Sequence, residues 1–279
     1  MIDEQALKVR LREIVADGYK APTRPEIYPL VLAMAAHTGS PDPELRDDLI
    51  YMTMAYWIER DVFEAKDLKE ILQVSLNDQH LFYGLGEKDT DSVFTRSFSM
   101  LIVAAVLNAH RRHLFLPDNE LQVIKRKLLR YLEGERDLRG YVPVKGWAHA
   151  IAHAVDALDE LVQCASMDGD DLQELLTAMR RLVTTMETVY VCEEDERLVT
   201  AVLATWQRAE ISDEEIIEWL EALTPAEGSD LPFEESYRSF INAKTFLRSL
   251  SFRTRRMALS ENVHQAIRQA LVRFSRFEK

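Results

Sequence analysis

Apolar residues recur along this chain with a period near 3.6 from one end to the other, the pattern of helices that bury one side. Residues 3–16 carry Leu7, Val9, Leu11 and Val15 among charges, and 66–77 carry Leu68, Ile71, Leu72, Val74 and Leu76. Thr38-Gly39 stops a mostly apolar run over 25–37. Asp42-Pro43-Glu44 then opens another helix with an N-cap residue, a first-turn proline and an early carboxylate. Asp91 is placed to cap a long apolar helix over 91–113, and Pro117-Asp118 opens the next. On these grounds helices are predicted over 3–16, 25–37, 42–60, 66–77, 91–113, 117–134, 146–163, 170–188, 194–208, 212–223, 233–256 and 260–277.

No strand is predicted: alternating runs with hairpin turns are absent, and Val189-Tyr190-Val191 is too short. Alternate helices begin at intervals of roughly 40–55 residues, as in longer helical repeats. The expected fold is therefore all-α, with about twelve helices stacked as antiparallel hairpins in an α-α superhelix (a HEAT/armadillo-like solenoid) and no significant sheet. A compact multi-helix bundle satisfies the same periodicity and stays open. The glycine-bearing stretches 84–86 and 228–232 read as loops rather than linkers, so 1–279 is expected to be one domain.

Composition narrows the function classes. With 47% apolar residues and nine each of Gly and Pro among 279, the chain can build a core and is neither disordered nor turn-rich. Two cysteines, Cys164 and Cys192, make no disulfide framework. The charged N-terminus and the short longest apolar run, 100–107, give neither a signal peptide nor a membrane span, so a cytoplasmic protein is expected. A net charge of −13 disfavours nucleic acid as a partner. That charge is uneven. Residues 187–235 hold 15 acidic and two basic residues, whereas 244–279 hold nine basic and two acidic. Stacking of the basic terminal helices on their acidic neighbour is the simplest account, and a basic docking surface for an acidic partner is the other.

Candidate chemistry gathers in 137–160. Continued as a helix, this stretch places Lys145, His149, His153, Asp156 and Glu160 within about 40° of one line, opposite Trp147, Ile151 and Val155. Imidazoles at i and i+4 with a carboxylate three residues on can hold a divalent metal, or do acid–base work beside anion-binding Arg139 or Lys145. The same groups can equally form a hydrogen-bonded network bracing the preceding loop. Arg96 opens the most apolar helix and needs a carboxylate partner, for which Asp47, Asp137 and Asp195 are the candidates. Acids at 193–196 suit a helix start. Neither a nucleophile elbow nor a nucleotide-binding loop is present.

These residues also carry a resemblance. Asp137-Leu138-Arg139-Gly140-Tyr141-Val142, Lys145-Gly146-Trp147-Ala148-His149 and Ala152-His153 resemble the hallmark of a bacterial family known as domain of unknown function 2785. Val93-Phe94-Thr95-Arg96-Ser97-Phe98-Ser99, Leu45-Arg46-Asp47 and Glu194-Asp195-Glu196-Arg197-Leu198 resemble its other blocks. The resemblance implies an all-helical, solenoid-like fold and a cytoplasmic location, and it implies no activity.

The expectation is a binding or interaction module whose concave face carries His149, His153 and Asp156, with Arg96, Asp137, Arg139, Lys145 and Trp147 as ligand-binding candidates. Its partner would be a small anionic ligand or a peptide or protein segment. The alternative is a hydrolase using His149, His153 and Asp156 for metal binding or acid–base chemistry. No cofactor is expected, a divalent metal at those three residues excepted.

Overall fold

A computed structural model describes residues 2–224 and 232–275. About two thirds of the chain is helical, in twelve α-helices and one π-helical stretch, with a single two-stranded sheet among the described residues. The all-α expectation holds. The chain divides into two compact units, Met1–Leu161 and Val162–Lys279.

The first unit contains α1 (Glu4–Ala16), α2 (Arg24–Ala36), α3 (Met52–Glu59), α4 (Ala65–Ser75), α5 (Ser92–His113), α6 (Asp118–Gly134) and most of α7 (Ala150–Val162). A π-helical stretch, Glu44–Tyr51, runs into α3 without a break. Asp42 starts it as expected, accepting the amides of Glu44 and Leu45. Asp91 stands at the N-cap of α5, yet its carboxylate does not cap the helix and binds Lys145 instead. The centre of this unit is α5, buried on most of its circumference and packed by α3, α4 and the π-helical stretch. By length and composition α5 alone among the described helices could cross a membrane, but most of its apolar stretch is buried within the fold.

The sheet corrects the strand expectation. Strands β1 (Tyr141–Val142) and β2 (Gly146–Trp147) form an antiparallel hairpin, pairing Tyr141 with Trp147 and Val142 with Gly146. The helix expected over 146–163 consequently starts four residues late, at Ala150.

The second unit holds α8 (Gly169–Val183), α9 (Glu194–Trp206), α10 (Asp213–Glu221), α11 (Phe233–Thr254) and α12 (Glu261–Arg273). Capping boxes at Asp168 and Ser212 fix the starts of α8 and α10. Here α9 packs on α8 and α11, and α12 packs on α10 and α11. The acidic and basic stretches meet where that packing brings them. Ser249 donates to Asp195 at 2.6 Å, Arg253 to the Glu196 carbonyl at 2.9 Å, and Arg273 to the Leu220 carbonyl at 2.9 Å. The loop read at 228–232, apart from Pro232, and the end of the last predicted helix, 276–277, lie outside the described residues.

Candidate functional site

The hairpin exists because two residues take left-handed backbone. Val144 and Gly146 have φ of 71° and 79°. Glycine suits the second position for another reason: a Cβ there would sit 2.9 Å from Pro43 Cβ and 3.1 Å from Arg46 Nη2. Val142 packs inward on a cluster of Val93, Phe94, Ala148 and Ala150. The outer side chains stay in solvent, with Tyr141 55%, Val144 90% and Trp147 41% exposed.

Arg46 holds the hairpin from below. Its guanidinium is fully buried, 4.1 Å from the Phe94 ring centroid and 4.7 Å from that of Phe98. It donates to the carbonyls of Ser40 at 2.7 Å, Lys145 at 2.7 Å and Trp147 at 3.3 Å. Asp47 lies 2.7 Å from Arg46 Nε and accepts the Trp147 amide. Burial pushes the Asp47 carboxyl up to about 6, outweighing Arg46, and burial likewise lowers the Arg46 pKa.

Two further ion pairs fix the loop that leads in. Arg96 and Glu135 are both fully buried and bind through two bonds of 2.7 and 2.9 Å. Glu135 therefore replaces Asp47, Asp137 and Asp195 as the partner of Arg96. Nη1 of Arg96 donates to the carbonyls of Tyr83 and Gly84 and to Ser92 Oγ. Burial works against the Arg96 charge, but Glu135 more than restores it and leaves its pKa raised. Glu135 also accepts the amides of Arg136 and Asp137. Asp137, equally buried, takes two bonds from the Arg139 guanidinium at 2.7 and 2.6 Å and the Asp89 amide at 3.0 Å. Arg139 reaches on to the Thr90 carbonyl at 2.7 Å, and Lys145 spans to both oxygens of Asp91 at 2.7 Å. Arg96, Arg139 and Lys145, the three cations singled out for an anion, each already hold a carboxylate.

The predicted stripe of ionisable groups is dispersed. His149 precedes α7 with φ 48°, and Lys145 lies in the hairpin turn, so neither shares the helix line of His153 and Asp156. Glu160 is drawn to Arg111 and Asn108. The two histidines still meet, edge to face with ring centroids 5.5 Å apart. His149 stacks under Trp147 at 4.3 Å, and Tyr141 closes the row edge-on at 5.0 Å from Trp147. His153 is buried, donates from Nδ1 to the Ser97 carbonyl at 3.3 Å and meets Phe98 edge-on. Asp156 is half-buried one turn further along α7.

In the second unit Glu194, from the acidic run, is buried at the start of α9 and accepts the Cys192 amide at 2.8 Å. Burial raises its pKa. Neither cysteine is in a disulfide.

Sequence reasoning missed Arg46, Glu135 and Tyr141 as working residues. Arg46 carried a usable signal, a guanidinium between Leu45 and Leu49 on an otherwise core-facing helix side. Glu135 carried none, since its role follows from closing α6 beside α5.

Residues 81–252 match the model of a family described as "Protein of unknown function (DUF2785)". No curated protein and no solved structure matches the chain.

Proposed function

The chain belongs to the DUF2785 family of proteins of unknown function, and we propose that it works as a binding module that offers its hairpin to a peptide segment of a protein partner. One observation carries this reading. Three ion pairs, that of Arg96 with Glu135 fully buried and those of Arg46 with Asp47 and Arg139 with Asp137 buried on one side, brace a hairpin of four strand residues and the loop leading into it, and the hairpin carries exposed Tyr141, Val144 and Trp147. Aromatic residues fixed on a rigid support lose little entropy on binding and are the usual anchors of protein interfaces. A β-branched residue held at positive φ costs on the order of 1–2 kcal/mol, which is tolerated where a turn must present a particular shape.

A peptide is favoured over a small anion because Arg139 and Lys145 already hold Asp137 and Asp91. The hydrolase alternative has less support: His153 is buried against Ser97 and Phe98, with the His149 ring between it and exposed Trp147. The helical-repeat arrangement belongs to the same proposal. In the second unit helices contact their next-but-one neighbours, as stacked hairpins do.

Photocrosslinking in the native cell tests it. A benzophenone side chain at position 144 should give a discrete adduct with one protein, and Trp147→Ser in the same chain should abolish it. The same probe at exposed Glu214 serves as control. Equal adducts at 144 and 214, or no dependence on Trp147, would refute the reading.

A further inference from the structure

Away from the hairpin, a slot opens in the first unit between α2, α3, α4 and α5, with a cavity of about 80 Å³. Ile27, Val31, Met34, Met54, Ile71 and Ile102 form its walls. Half-exposed Tyr28 and Leu32 stand at its mouth. Apolar walls of this kind accept apolar guests, and methionines adapt to them.

The polar groups along the slot decide what it can take. Ser75 and Ser99 spend their hydroxyls on the carbonyls of Ile71 and Thr95 in their own helices. His80 is held by Asn77 and the Ala35 carbonyl. Arg24 is clamped by Glu64 and Asp67, both at 2.5 Å, and Glu70 bonds Tyr28. The charged lining is thus one cation against two acids, Asp67 and Glu70, with Glu64 just outside. A carboxylate or phosphate would meet net negative charge and no free cation. The Thr38 hydroxyl is the polar side-chain group on the wall that no described residue engages.

We propose that this slot takes the end of a single aliphatic chain whose polar head is neutral, as in an alcohol, and stays at the mouth beside Tyr28 and Leu32. The small volume and apolar walls set the first requirement. The acidic rim with its occupied arginine sets the second. This is independent of the hairpin reading, because no residue is shared.

Calorimetric titration of the full chain with 1-octanol, and with octanoate at the same pH, tests the proposal. Saturable one-to-one binding of octanol is expected, with octanoate at least tenfold weaker. Ala35→Phe, which fills the slot, should abolish octanol binding while leaving the helical circular dichroism unchanged. Should that variant fail to fold, Leu32→Glu at the mouth should weaken octanol at least fivefold. No saturable octanol binding, octanoate binding as well as octanol, or Leu32→Glu binding like the parent would each overturn the proposal. So would a dimer that Leu32→Glu converts to monomer with octanol inert, because a second copy would then be the occupant.

Discussion

Arg96 and Glu135 face each other across two parallel hydrogen bonds of 2.7 and 2.9 Å with no solvent access to either side chain. The pair ties the start of the second turn of α5 to the residue that follows α6, and so sets where the chain enters the Asp137–Arg139 loop. Breaking a buried pair strands the surviving charge. Glu135→Ala should therefore cost about 3–5 kcal/mol in urea unfolding. An Arg96→Met, Glu135→Leu double variant should recover part of that loss and no more, because the carbonyls of Tyr83 and Gly84 lose their donor.

Asp47 gives a pH signature. Its folded pKa of about 6 lies above the unfolded carboxylate value, so the native state holds this proton more tightly. The contribution of Asp47 to stability is present in full below about pH 4 and is lost as pH rises through 6. Asp47→Asn removes the titration. The stability difference, parent minus variant, should fall by about 2–3 kcal/mol between pH 4 and pH 7. A flat or rising difference in paired urea titrations would contradict the Asp47 environment described above.

The hairpin makes two opposite predictions from neighbouring turn positions. Gly146→Ala forces a Cβ to within 2.9 Å of Pro43 at positive φ and should cost about 2–4 kcal/mol. Val144→Gly relieves the left-handed strain of a side chain that buries almost nothing, so stability should be unchanged or rise by up to about 1 kcal/mol. Thermal melts of the two variants side by side decide both.

Gly39 is a second tight point. An added Cβ would lie 1.9 Å from Thr95 Oγ1 and 2.9 Å from Thr95 Cα. Gly39→Ala should lower the melting temperature sharply, and adding Thr95→Ser should not restore it, because the Thr95 backbone itself is in the way.

Most helices are legible because their apolar period is strong and their starts carry caps such as Asp3, Ser212 and Ser260, whereas the cap of α8 is Asp168, two residues before the expected start. The hairpin was not. Each of its strands has two residues, too few to show alternation, and its turn relies on Val144 at positive φ, which no propensity anticipates. That one omission moved His149 and Lys145 off the helix line on which they had been placed. The residues of the candidate site were identifiable by type, but their pairing was not. Glu135 and Asp137 are two apart, and only the path of the chain out of α6 decides which one meets Arg96.

The π-helical stretch at 44–51 bears on what changes this fold can absorb. Its wider turn accommodates one residue more than regular coiling would. Deleting a residue between Asp47 and Tyr51 would close that wider turn with little rotation, whereas deleting one from the regular coil of α3 just beyond would swing everything upstream by about 100° relative to the rest of α3. In the second case Arg46 would leave the rings of Phe94 and Phe98, and the backbone it steadies beneath Trp147 would lose its anchor. A single deletion should therefore be tolerated far better in the π-helical stretch than in α3.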